Sequence, residues 1–256
     1  MSIPARTLAL FISDLHLQES HPRTAEAFFR FLEEHGRHTR QLYLLGDIFE
    51  YWAGDDDLDA PFHARIIGAL RSLADSGVAL FWMAGNRDFL VGQGFADAAG
   101  LTLLAEPHVV EIGGQRIVLV HGDAECTLDT KYMAFRAMVR QPAWQAQFLA
   151  MPLSQRKAII AGMREGSREA HTTKSYDIMD VTPEAIEALF DATGAQVLIH
   201  GHTHRPALHR HGERLRYVLP DWERDAEPAR GGWIAVLEDG QIVRRVLDGH
   251  ASADAA

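Results

Sequence analysis

Seven side chains in this 256-residue sequence have the types and spacing to hold metal ions. Asp14 and His16 stand two apart in "SDLH", Asp47 follows a glycine in "GDIFEYW", and Asn86 follows one in "GNRD". His121 closes the run "RIVLVHG", and His202 and His204 stand two apart in "GHTH". Each group follows an apolar run that reads as a strand. Residues two apart on a strand project to one side, so each pair predicts two donors on a common face. Taken singly, these motifs read as turns, helix caps or a satisfied core histidine. Five together, all at strand ends, point to one dinuclear centre. The donors are oxygens and imidazole nitrogens with no thiolate, which suits borderline-hard divalent ions such as Mn2+. A bridging aspartate would hold two such ions ~3.5–4 Å apart, the spacing of two-metal hydrolytic sites. The other histidines, among them His108 and His200, show no such pattern and take surface or core roles by default.

For Asp14 and His204 to meet, the fold must gather strand ends. The first third alternates strands at 7–13, 41–46 and 78–85 with helices at 21–36 and 59–77, the helices closed by Gly36 and Gly77. That alternation predicts a parallel α/β sheet with covered faces, whose carboxyl-end loops converge on one crevice. "HVVEIGGQRIVLVHG" (108–122) predicts a hairpin turning at Gly113-Gly114. Between 129 and 192 only helical pattern is found, and strands return with "QVLIHGHTH" (196–204), "RLRYVL", "GWIAVLE" and "QIVRRVL". The expected organisation is a core at 1–125 and 193–248, a helical insertion at 126–192, and a disordered tail at 249–256.

Composition narrows the function classes. Hydrophobic residues at 47% and charged residues at 23% are ordinary for a globular chain with a large core. The single cysteine, Cys126, excludes an intramolecular disulfide and predicts a reducing compartment. A net charge of −10 argues against a nucleic-acid partner. No signal-peptide pattern and no run of ~20 apolar residues is present, so a cytoplasmic protein is expected.

In their order, "DLH", "GD", "GN", "HGD" and "GHTH" resemble the calcineurin-like metallophosphoesterases, over about residues 7–125 and 195–247. The resemblance implies a four-layered α/β/β/α sandwich. It also implies one ion on Asp14, His16, Asp47 and His204, and another on Asp47, Asn86, His121 and His202. In such a site, water activated between two cations attacks phosphorus in line, and charge stabilisation carries most of the catalysis. Many members carry histidine after "GN", near the leaving group. Here Arg87 stands there, a permanent cation with a bidentate fork and no transferable proton at neutral pH. That suits a diphosphate, whose leaving group is already a good anion.

"GDIFEYW" followed by "GNRDFL" is similar in particular to the UDP-2,3-diacylglucosamine hydrolases of lipid A synthesis, along almost the whole chain. This implies a Mn2+-dependent attack, with two Mn2+ per chain, on the α-phosphorus of UDP-2,3-diacylglucosamine, giving UMP and 2,3-diacylglucosamine 1-phosphate (lipid X). It implies a peripheral protein on the cytoplasmic face of the inner membrane. Catalytic roles fall to Asn86, Arg87 and His121, and substrate contacts to Asn86, Arg87, Asp129, Ser167, His171, Lys174 and His202. The insertion carries "YMAFRAMV", "WQAQFLAM" and "AIIAGM", and methionine-rich apolar surfaces accommodate acyl chains well. Plain packing of amphipathic helices is the competing reading of the same residues. Arg136, Arg140, Arg156 and Lys157 are candidates for contact with lipid phosphates. A monomer is favoured. The alternative function is another dimetal phosphoesterase, acting on cyclic nucleotides, phosphoproteins or dinucleoside polyphosphates.

Overall fold

The computed structural model describes residues 6–171 and 177–247, with side chains described at 6–165 and 178–247. Apolar runs in the first third form the parallel strands β1 (Thr7–Ile12), β2 (Gln41–Leu45), β3 (Ala79–Met83) and β4 (Thr102–Leu104). The strands β10 (Gly232–Leu237) and β11 (Ile242–Val246) extend this sheet antiparallel to β1, in the order β11-β10-β1-β2-β3-β4. The sheet is therefore mixed rather than purely parallel. A second sheet holds β5 (His108–Ile112), β6 (Gln115–Leu119), β7 (Val197–His200), β8 (Leu208–His211) and β9 (Arg214–Val218), in the order β5-β6-β7-β9-β8. The β5-β6 hairpin turns where expected, at Gly113 (φ 59°) and Gly114 (φ 75°). Two successive positive φ values make the primed turn that matches strand twist, and glycine adopts them without a Cβ clash.

Alternation of side chains along the strands builds three apolar layers. Between the sheets lie Phe11, Tyr43, Leu45 and Met83, facing Ile117, Leu119, Ile199 and Leu219. On the outer side of the first sheet, Leu10, Ile12, Leu42, Leu44 and Trp82 receive helices α1 (Pro22–Glu34), α2 (Pro61–Asp75) and α3 (Gln93–Ala99). On the outer side of the second sheet, Val118, Val120 and Leu198 receive helix α7 (Pro183–Thr193) through Ile186 and Phe190. The result is the four-layered α/β/β/α sandwich. Helix α7 has the pattern of the insertion but is packed against the second sheet as the fourth layer.

Above one end of the sheets sit α4 (Thr130–Val139), α5 (Pro142–Leu149) and α6 (Leu153–His171). Four cations proposed for lipid phosphates turn inward and tie these helices down. Arg136 bridges Glu106 (2.8 Å) and Asp123 (2.9 Å), and Arg140 donates to the Gly85 carbonyl (2.9 Å). Arg156, 1% exposed, donates to the carbonyls of Met151 and Ala53 and pairs with Asp56, while Lys157 pairs with Asp57 at 2.7 Å. A buried guanidinium needs acceptors, and for Arg156 the loop after β2 supplies Ala53 and Asp56.

Candidate metal and phosphoester site

The parallel register sets the site. Ile12 lies opposite Leu44, Leu45 opposite Met83, and Leu119 opposite Ile199, so the segments that follow leave both sheets at one end. The candidate donors lie just past these strands, not on them. Asp14 (φ 55°), His16 (48°), Asp47 (53°), His202 (66°) and His204 (53°) all adopt left-handed backbone. Same-side projection along a strand is therefore not what pairs them. For non-glycine residues that conformation is costly, and its clustering marks a site where surrounding structure enforces it. The enforcement is visible: the His16 and Leu17 amides donate to the Asp47 and Ile48 carbonyls, at 3.0 and 2.8 Å.

Two groups of donors form, Asp14 with His16 and His204, and Asp47 with His121 and His202. Asp14 accepts from Ser13 Oγ (2.5 Å) and from the His202 amide (2.9 Å) through Oδ2. Its Oδ1 lies 3.3 Å from His204 Nε2, without a satisfied hydrogen bond. Burial opposes charge on Asp14, but His204 and the neighbouring histidines outweigh it and hold its carboxyl far below the ordinary range. The ring nitrogens His16 Nε2 and His204 Nε2 are 3.3 Å apart. In the second group, His121 donates from Nδ1 to the Leu45 carbonyl at 2.8 Å, which turns Nε2 toward Asn86 Oδ1 (3.0 Å) and Asp47 Oδ1 (3.6 Å). Burial works against a charge on His121, yet Asp47, Asp14, Asp123 and Glu106 lift it to about 9. Acceptors converging on one point need a proton or a cation between them. All of them are hard oxygens or imidazoles, so a divalent ion fits both places.

Asp88 answers for the rest of "GNRD". Fully buried, it accepts the amides of Gly85 (2.8 Å), Ile48 (2.9 Å), Asp47 (3.3 Å) and Phe49 (3.4 Å), lacing the two loops together. Burial, then Asp47, raises it to about 6. A side chain at Gly46 would meet His121 Nδ1 at 2.5 Å, and one at Gly85 would meet Asp47 Oδ1 at 2.2 Å, so both glycines are required by close approach. Arg87 does not pair with Asp88. Its amide donates to Asp47 Oδ1 (2.8 Å), its Nε is buried without an acceptor, and among the described residues no carboxylate pairs with it.

A cavity of about 830 Å3 joins these groups to the cap. One wall is apolar, with Phe89, Phe135, Trp144, Phe148, Ile160 and Met163. Asp129 also lines it while capping α4 at the Tyr132 amide (3.1 Å). Ser167 and His171 fall on α6 beyond its described side chains, and Lys174 lies outside the described residues. Sequence reasoning missed Glu50 beside His16 and the pairing of Tyr132 with Asp123. A glutamate three residues after Asp47 carries no local signal for a contact with His16.

Residues 8–206 match the calcineurin-like phosphoesterase family, and the chain belongs to that family. Within it, the chain is similar to proteins named UDP-2,3-diacylglucosamine hydrolase. That of Chromohalobacter salexigens is 49% identical over 90% of this chain and 93% of its own. Those of Cellvibrio japonicus and Aromatoleum aromaticum are each 50% identical, over 83% and 85% of this chain and 90% of theirs.

Proposed function

We propose that the chain hydrolyses the pyrophosphate bond of UDP-2,3-diacylglucosamine, releasing UMP and 2,3-diacylglucosamine 1-phosphate, with two Mn2+ ions. The observation that carries this is the shared cavity: both donor groups, a guanidinium that no described carboxylate pairs with and an apolar chamber open into one space. The names of its relatives agree with it.

Asp14, His16 and His204 would hold one ion and Asn86, His121 and His202 the other, with Asp47 between them. Bound divalent ions supply hydroxide at neutral pH and neutralise the oxygens on phosphorus. Arg87 clamps the diphosphate through its planar fork, and Asp88 fixes the loop that presents it. The acyl chains occupy the chamber lined by Phe135, Trp144 and Phe148, while Gln18, Thr203 and Arg230 line the cavity with polar groups suited to the nucleotide half. Asp129, Ser167, His171, Lys174 and His202 are proposed to contact the glucosamine and its phosphate.

Four large hydrophobic side chains are exposed among the described residues, namely Leu128, Met138, Leu149 and Met163. All belong to the cap or its approach, which supports peripheral contact with the inner membrane on its cytoplasmic face. No helix among the described residues is long and apolar enough to cross a membrane.

The test is hydrolysis by metal-stripped protein in 18O-water, with and without Mn2+. The proposal expects Mn2+-dependent UMP carrying the label. Label in the lipid phosphate would place the attack on the other phosphorus and overturn it.

A further inference from the structure

We propose that Glu50 is a positioning residue that orients His16 toward the ion held with Asp14 and His204, and that Arg164 of the cap helix holds Glu50 in turn. One half of the metal centre then depends on the seating of the cap. The inference rests on the two-metal reading above and is independent of the substrate.

The backbone places Glu50 first. The Leu17 amide donates to the Ile48 carbonyl at 2.8 Å and the Glu50 amide donates to the Leu17 carbonyl at 3.2 Å, with Leu17 and Phe49 forming a parallel bridge. Loop 47–50 is thus zipped against 14–17, and Glu50 has little freedom relative to His16. Its Oε2 comes within 2.9 Å of His16 Nδ1, a close approach that a small turn of the imidazole would make a hydrogen bond. Its other oxygen pairs with Arg164, which also donates to the Glu50 carbonyl. The three side chains are 11–19% exposed, so the chain of contacts is shielded from water.

The chemistry follows from the imidazole. A neutral ring carries one proton, and the partner of one nitrogen decides which nitrogen is free to bind a metal. A carboxylate at Nδ1 keeps the proton there and leaves the Nε2 lone pair facing His204 and Asp14. Without it, the proton can move to Nε2, where His204 Nε2 at 3.3 Å would accept it, and the ring becomes a competitor of the cation. Both carboxylate oxygens of Glu50 are engaged within the protein, which leaves the residue a poor substrate contact even though it lines the cavity. Arg164 comes from α6, the longest cap helix, so the contact joins the cap to a residue beside a candidate ligand of the first group. His204, by contrast, has Asp221 at 3.6 Å from Nδ1, a contact made entirely within the core.

The experiment titrates metal-free wild type, Glu50→Gln and Arg164→Ala with Mn2+ by calorimetry, with thermal unfolding recorded beside it. Wild type should show two sites. Glu50→Gln should weaken one site roughly 10–100-fold, the range for losing the carboxylate partner of a ligating histidine, and leave the other within about twofold. Arg164→Ala should weaken the same site by a smaller factor. Raising Mn2+ should restore the turnover of Glu50→Gln with KM unchanged. Unaltered affinities in Glu50→Gln, or both sites weakened equally with a lowered unfolding temperature, overturn the positioning role. A shift in Glu50→Gln with none in Arg164→Ala overturns the link to the cap. Wild type that binds no Mn2+ would instead overturn the two-metal reading on which both depend.

Discussion

Arg87 brings into the cleft a charge that no described carboxylate neutralises, and its backbone amide is already committed to Asp47. Replacing it with alanine should lower kcat about 10²–10³-fold, the usual loss on removing a preorganised charge-stabilising donor. Metal content, measured on the same protein by elemental analysis, should stay at the wild-type level. Lysine should restore only part of the rate, because a point charge does not reproduce a bidentate fork. A second residue-scale prediction concerns Glu125. Burial, then the Glu106 and Asp123 carboxylates, push Glu125 from 4.5 up to about 7. The folded protein therefore holds this proton more tightly than the unfolded chain. The stability it contributes is full below pH 4.5 and is lost as pH rises through about 7. Glu125→Gln cannot titrate, so at pH 8 it should be more stable than wild type by on the order of 3 kcal/mol, and nearly equal at pH 4.5. Urea midpoints at the two pH values check the sign. That the candidate donors gather at one end of the sheets was legible, because strand ends repeat one kind of residue. The left-handed backbone at five of them was not, since it depends on contacts such as His16 to Asp47 across the chain.

Among the elements, the long alternating runs of the first third declare themselves, and β1, β2, β3 and the glycine-turned hairpin fall where their patterns put them. The short ones do not. Helix α3 has seven residues and β4 three, too few for a period, and β8 is "LHRH", with no apolar run at all. Helix α7 has a clear period but shows nothing in sequence of which layer it joins; contact with Val118 and Leu198 decides that. The cap is held by Arg136, Arg140, Arg156 and Lys157, which in sequence were only candidates for contact with lipid phosphates. Arg156→Ala would strand the Met151 and Ala53 carbonyls and unpair Asp56, and should cost roughly 1–3 kcal/mol of stability. Limited proteolysis should then cut preferentially within 140–165, with the sandwich left intact. Cleavage spread evenly over the chain would show that Arg156 supports the whole fold instead of the cap.

At the scale of the molecule, two sheets bring five strand ends to one rim and a helical insertion roofs it, so that one cavity holds both chemistry and an apolar chamber. The sandwich was legible through its ordered motifs. The tethering of its roof was not, because it rests on ion pairs between segments far apart in the chain. A small soluble phosphodiester needs no such roof. The most direct measurement compares kcat/KM for UDP-2,3-diacylglucosamine and for UDP-N-acetylglucosamine, with Mn2+ present. The account predicts UMP release from the acylated substrate and a rate for the unacylated one lower by several orders of magnitude. Equal rates on both would contradict it, leaving a pyrophosphatase whose cap has no part in choosing the substrate.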